Sequence, residues 1–198
     1  MSLLIVIPFN ASQAESAEKL CDFIYFISGK QQQGHCLLIA DKGVHDEMKL
    51  KVKLAAEVAF ENVNLAVTRA NPFSETVKLV SQNYKSPWLW LEPDCVPLKV
   101  GWIGALQEAY DSQPKKYMGA YYKNEAGQLF MARPAVYPAY AESDHGDISD
   151  VTTYSTKCRL IQIGKYEGIT KLRPDAVLFC SDKTGALMND LKMLKGNL

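Results

Sequence analysis

Residues 88–102 read WLWLEPDCVPLKVGW. A dense apolar and aromatic run ends in two carboxylates, Glu92 and Asp94, separated by Pro93, and the chain then enters an amphipathic helix. A run this apolar predicts a strand buried on both faces, as at the centre of a parallel sheet. In an extended segment residues two apart point to the same side, so Glu92 and Asp94 are expected to converge. Pro93 holds Glu92 extended and offers no ladder donor, which suits the frayed end of a strand. Two hard oxygen ligands at the open carboxyl edge of a parallel sheet suit Mg²⁺ or Mn²⁺, with substrate phosphates and water completing the shell. Taken alone, the same residues also read as a solvated strand end, with Asp94 capping the following helix.

Upstream, this strand is the fourth of a series. LLIVIP (3–8) is a continuous apolar run, the pattern of a central strand. Ser12 and Glu15 form an S-x-x-E capping box, and Ala17, Leu20, Cys21, Ile24 and Ile27 follow at helical spacing until Gly29. A second strand, CLLIA (36–40), stops at Asp41-Lys42-Gly43, and a helix carrying Met48, Val52, Ala55 and Ala56 on one face follows. VNLAVT (63–68) is the third strand; Asn71-Pro72 then reads as an N-cap followed by proline at the first helical position. Repeated strand–helix alternation implies right-handed crossovers and a mainly parallel sheet, which binds ligands beyond the carboxyl ends of its strands.

Downstream the character changes. After a helix with Trp102, Ala105, Leu106 and Ala109 come strands at KYMGAYY (116–122) and QLFMA (128–132), then a polar loop, VYPAYAESDHGDISDVTTY. Strands at RLIQIG (159–164) and AVLFC (176–180) precede a closing helix with Leu187, Leu191 and Leu194. The expectation is one α/β domain over residues 1–198, with a nucleotide-sized half over 1–98 and a more irregular half over 99–198.

The bulk composition narrows the classes. With 22 basic and 22 acidic residues, no whole-molecule field draws the chain to nucleic acid or anionic lipid. MSLLIVIPFN is too short for a membrane span and lacks a basic leader. Cys21, Cys36, Cys95, Cys158 and Cys180 are odd in number and scattered, which argues for a reducing compartment, hence cytoplasm, and against a disulfide framework or zinc knuckle. His35, His45 and His145 have no metal-ligand spacing to one another.

Here the residues carry a resemblance. IVIPFN at the first strand, LLIADK after the second, and WLWLEPDCVPLKVGW are similar to GT-A glycosyltransferases, in particular compact family 2 types that include bacteriophage-encoded transferases. The similarity runs over residues 3–110 and returns at AVLFCSDKTGAL (176–187). The resemblance implies a metal-dependent transfer of a hexosyl or pentosyl group from a nucleoside-diphosphate sugar, with UDP-type donors favoured. It implies that Pro8, Phe9 and Asn10 line the base and ribose, and that Asp41 accepts from a uracil-type N–H. Glu92 and Asp94 would correspond to the D-x-D metal motif, with Glu in place of the first Asp. The metal, Mn²⁺ or Mg²⁺, would neutralise the leaving diphosphate. Those proteins often place a histidine ligand near the C-terminus; Cys180-Ser181-Asp182-Lys183 stands there instead, so Asp182 would ligate the metal and Lys183 meet the diphosphate. Arg69 reads either as a phosphate contact or as a solvated loop residue.

On the acceptor side, inverting transfer needs a carboxylate base. ESDHGDISD (142–150) supplies an acidic cluster in which Asp147 and Asp150 are the candidates, a solvated loop being the plainer reading. Lys115, Lys116 and Lys123 flank Tyr117, Tyr121 and Tyr122, an interleaving usable for phosphates and unstacked bases, or else an edge strand guarded by lysines. Together with the likeness to phage enzymes, which would act in the host cytoplasm, it brings in a hydroxymethylated pyrimidine in DNA as one acceptor, reached by exposing or flipping the base. Two rivals stand beside this reading. A nucleotidyltransferase would need a Gly-rich phosphate loop, and PFNASQAES (8–16) has no glycine; a catalytically inactive binding module of the same fold is the other.

Overall fold

The apolar run at the N-terminus becomes β1 (Leu4–Phe9), the strand around which the molecule is arranged. The structure, a computed structural model, describes residues 2–69, 71–112, 117–123, 129–141, 151–152, 159–163 and 176–181. β1 pairs in parallel with β2 (Gln31–Asp41) on one side and β4 (Trp88–Trp90) on the other, and β3 (Phe60–Thr68) extends the parallel set beyond β2. Successive β1 side chains serve opposite faces, as the pleat requires. Ile5, Ile7 and Phe9 enter one core with α1 (Ala14–Ser28), α2 (Asp46–Ala59) and α4 (Trp102–Asp111). Leu4 and Val6 enter the other, with Phe73 and Val80 of α3 (Pro72–Asn83).

The helix placement follows from direction of travel. α1 and α2 step outward from β1 to β2 to β3, whereas α3 must carry the chain back across β2 and β1 to reach β4. Right-handed crossovers then force α3 onto the opposite face. Strand order thus reverses between β1 and β4, which opens a crevice at their carboxyl ends.

Beyond β4 the sheet turns antiparallel. β7 (Leu129–Tyr137) pairs with β4 and with β6 (Tyr117–Lys123), and β8 (Val151–Thr152) lies parallel to β6, giving the order β3-β2-β1-β4-β7-β6-β8. A second sheet, β5-β10-β9, is built from β5 (Cys95–Pro97), β10 (Ala176–Ser181) and β9 (Arg159–Ile163). The expected mainly parallel sheet is therefore found in β3, β2, β1 and β4.

Several local expectations are revised. Asn10 and Gln13, not Ser12 and Glu15, form the reciprocal pair before α1: Gln13 N–H donates to Asn10 Oδ1 at 3.1 Å, and Asn10 N–H to Gln13 Oε1 at 3.3 Å. Glu15 is instead paired with Lys19 one turn on. Val136 and Tyr137, read as the start of a loop, are buried in β7, where Val136 faces Leu89 and Tyr137 faces Trp88. A strand, β5, intervenes between the carboxylates and α4, and α4 is entered through left-handed Gly101 (φ 73) without a side-chain cap, so Asp94 does not cap it. Two expectations hold closely. Asn71 caps α3 by accepting from Ser74 N–H, with Pro72 at the helix start, and Gly29 ends α1 at positive φ.

The cysteine expectation divides. Cys21 and Cys36 are buried free thiols, but Cys95 is disulfide-bonded. Antiparallel pairing of β5 with β10 places Cys95 opposite Cys180, a neighbourhood that linear spacing does not reveal. Among the described residues no helix is long and apolar enough to cross a membrane.

Candidate nucleotide-sugar cleft

At the carboxyl ends of β1, β2 and β4 lies a cleft of about 480 Å³. Pro8, Phe9, Asn10 and Gln13 form the wall leaving β1; Ile39 and Asp41 come from β2. Asn71, Pro72 and Phe73 contribute the start of α3, and Trp90, Glu92 and Pro93 the exit of β4. Five of the residues expected on the donor side, Pro8, Phe9, Asn10, Asp41 and Glu92, thus border one space. Its volume falls within the range of small-molecule sites, about 300–1,000 Å³.

Local bonds fix the polar groups on the β1 and β2 side of the cleft. Asn10 Oδ1 accepts from Ser12 Oγ at 2.7 Å as well as from Gln13 N–H, which commits its carbonyl and makes Nδ2 the donor its side chain can offer. Asp41 Oδ1 accepts from Gly43 N–H at 2.8 Å, an Asx turn that orients the half-buried carboxylate. The same turn is anchored to the end of β3, because Lys42 N–H donates to Thr68 O at 3.1 Å and buried Thr68 Oγ1 to Ala40 O at 3.4 Å. Behind the cleft, Phe73 packs on Trp90 with centroids 5.2 Å apart and on Tyr137 at 5.1 Å, while Trp88 stacks on Tyr137 at 4.5 Å. Trp88 Nε1–H donates to Pro138 O at 3.1 Å, which ties β4 to the end of β7.

The carboxylate exit is built differently from the extended geometry expected of it. Cys95 N–H donates to Glu92 O at 2.9 Å, so residues 92–95 form a β-turn with Pro93 at its second position. Proline's fixed φ serves that turn as readily as a strand end. Glu92 lines the cleft, half-buried; Asp94 lies beyond it, with Oδ1 3.6 Å from Cys95 Sγ. Convergence of the two carboxylates through strand pleating is thereby replaced by a turn that makes Glu92 the cleft residue.

The remaining candidates separate from this group. Arg69 is exposed, its backbone N–H donating to both carboxylate oxygens of Glu75 at 3.1 Å, and it is not a lining residue. Asp147, Asp150, Asp182 and Lys183 lie outside the described residues. Tyr117 is buried and edge-on to Tyr137, which removes it from any base-stacking role. Gln13, Asn71, Phe73 and Trp90 were not anticipated in the cleft. The first two read as helix-start residues and the last two as core, and each also serves that structural part.

Among the described residues the lining holds two carboxylates and three amides but no Lys, Arg or His. An anionic ligand here meets oxygen-rich walls, and a hard divalent cation is the charge such walls accept. Among the described residues no group of three or more His, Cys, Asp or Glu is placed to hold a metal. Oxygens of a bound diphosphate would therefore have to complete any such shell.

No family model matches the chain, and no curated protein matches it by sequence. Solved structures do match its fold. The galactosyltransferase LgtC, in complex with donor and acceptor sugar analogs, aligns over 98% of this chain and 96% of that one, with TM-score 0.61 and 7% identity. S. aureus TarS in complex with UDP-GlcNAc aligns over 96% of this chain and 61% of that one, with TM-score 0.53 and 8% identity. The mannosyltransferase PcManGT from Pyrobaculum calidifontis, in complex with GDP-Man and Mn2+, aligns over 69% and 44%, with TM-score 0.50 and 10% identity. At these identities the shared property is the fold, that of the GT-A glycosyltransferases.

Proposed function

We propose that this chain, which carries the GT-A fold, moves a sugar from a nucleoside-diphosphate sugar to a hydroxyl acceptor. The observation that carries the reading is the cleft at the switch point of the sheet, bordered by Pro8, Phe9, Asn10, Asp41 and Glu92. A uridine donor suits the nucleoside wall. Uracil offers one N–H between two carbonyls, which matches one oriented carboxylate, Asp41, beside the amide donor of Asn10. Guanine presents two adjacent donors, and Asp41 has one oxygen already engaged by Gly43.

Glu92, with Asp182 after β10 and the oxygens of the bound diphosphate, would hold Mn²⁺ or Mg²⁺. When bound, the cation supplies Lewis-acid neutralisation of the leaving nucleoside diphosphate. The chain's own residues bind and orient the donor: Asp41 and Asn10 fix the base, and the Phe9 and Pro8 wall excludes water from the ribose. For the acceptor, Asp147 or Asp150 would take the hydroxyl proton. Burial of Tyr117 removes one of the aromatics that suggested a modified DNA base, so the acceptor is proposed only as a hydroxyl.

The test needs no acceptor. Slow hydrolysis of a panel of UDP- and GDP-sugars is followed with Mn²⁺ and with chelator. Metal-dependent hydrolysis of a UDP-sugar is expected, abolished in Glu92→Ala/Asp94→Ala. If no nucleotide sugar binds or turns over, or the double variant behaves as wild type, the transferase reading fails and the inactive module takes its place. Turnover of nucleoside triphosphates with pyrophosphate release would instead favour a nucleotidyltransferase.

A further inference from the structure

The cleft runs across three strand ends: Asp41 closes β2, Asn10 follows β1, and Glu92 stands at the exit of β4. β1 lies between the other two, so the strands that carry Asp41 and Glu92 are two spacings apart, roughly 10 Å. A ligand that meets both carboxylates must cross the end of β1. There the lining comes from both faces of the sheet, Gln13 from the start of α1 on one and Asn71 from the start of α3 on the other. Both are side-chain amides, and in both the carbonyl oxygen is taken. Gln13 Oε1 accepts from Asn10 N–H at 3.3 Å, and Asn71 Oδ1 accepts from Ser74 N–H at 3.1 Å. A free amide offers an acceptor on one side and two donors on the other; one whose oxygen is committed offers its N–H groups.

We infer that Gln13 and Asn71 grip the α-phosphate of the donor nucleotide from the two faces of the sheet, through neutral N–H donors and without a cation. The inference rests on the nucleoside-diphosphate reading of the cleft and names the residues that bear its first phosphate. An ionised phosphate accepts and never donates, which is the chemistry that two amides with committed oxygens match. Ribose hydroxyls, which also donate, are less well served by them. With the base at Asp41 and the β-phosphate toward Glu92, the α-phosphate is the part of the nucleotide that crosses β1. Arg69, the nearest cation in sequence to Asn71, is exposed and does not line the cleft, so it does not take this part.

The experiment is calorimetry of the full chain with uridine and with UMP, in chelator so that no divalent cation contributes. Wild type is expected to bind UMP about a hundredfold more tightly than uridine, two hydrogen bonds to a charged group at about tenfold each. Because neutral donors carry it, that ratio should change little as salt is raised. Asn71→Ser keeps an acceptor for Ser74 N–H but removes the amide, and Gln13→Glu keeps an acceptor for Asn10 N–H but sets an oxygen where the amide nitrogen stood. Each should lower UMP affinity about tenfold while uridine affinity and thermal midpoint stay near wild type. Arg69→Ala should leave the ratio unchanged. A variant that weakens uridine and UMP alike marks a merely structural part and overturns the inference. So does a ratio indifferent to both variants, or a wild-type ratio that collapses with salt, the mark of a cationic contact. In those cases the nucleotide still binds, and the donor reading of the cleft stands. If neither uridine nor UMP binds, both fall together.

Discussion

The two ends of the cleft are held in different ways. At the nucleoside end, every polar group is fixed within a few residues of itself: Asn10 by Ser12 and Gln13, Asp41 by Gly43. At the carboxylate end, Glu92 stands on a β-turn whose far side, Cys95, belongs to a different sheet and pairs with β10. The first wall is preorganised by local chemistry. The second depends on a strand from the far end of the chain, and its acidic lining suits a cation that arrives with the ligand. Under the proposed function, recognition falls to one end and charge handling to the other.

Substitutions at each end should break different steps. Glu92→Gln is expected to have the largest effect, lowering kcat by about a hundred- to a thousandfold, the scale of losing one electrostatic stabiliser. Nucleoside affinity, measured by calorimetry with UMP, should barely change. A comparable loss of UMP binding would show that the two ends are not separable. Asp41→Asn comes next. Losing a hydrogen bond to a charged group costs about 1.5–3 kcal/mol, so the Kd for uridine nucleotides should rise about ten- to a hundredfold, with kcat at saturation much less affected. Asn10→Ala removes the side-chain acceptor of Gln13 N–H and Ser12 Oγ before α1 and should lower stability by about 1 kcal/mol in urea unfolding. An unchanged midpoint would mean that wall is not locally fixed.

The smallest effect concerns Cys21, buried between α1 and the sheet. Burial pushes its thiol up to about 12, with Asp22 and Glu18 adding to the rise. Iodoacetamide at pH 8 should therefore leave it unmodified in the native protein and label it readily in urea, as read by peptide mass spectrometry. The sign for stability follows. A thiol with an ordinary value of 9.0 ionises in the unfolded chain while the folded one keeps its proton, so stability falls as pH rises from 9.0 toward about 12.

Sequence periodicity carried the parallel half because β1, β4 and the centre of β2 are buried on both faces and the helices that cover them turn apolar residues inward. Leu4–Phe9, Asn71-Pro72 and Gly29 all stand where their chemistry predicts. What it missed was set by pairing across long separations. Val136 and Tyr137 looked like the start of a loop because Pro138 and a polar run follow them, yet β4 recruits them as a buried antiparallel partner. Glu92-Pro93-Asp94 fits an extended exit or a turn equally well by local preference, and pairing of the next three residues with β10 goes with the turn. Within the site, residues that face the cleft by position alone, such as Asp41 and Asn10, were legible. Phe73 and Trp90 were not, since an aromatic lining a cavity and one filling a core have the same sequence signature.

The union of β5 with β10 also sets an order of assembly. β1, β2 and their connecting helix close over neighbouring stretches of chain, whereas β5 must wait for a strand far downstream of it in sequence. The nucleoside wall is then an early product of folding and the carboxylate exit a late one. Pulse-labelled hydrogen exchange during refolding should protect the amides of β1 and β2 before those of β5; simultaneous protection would mean that the two walls condense as one unit.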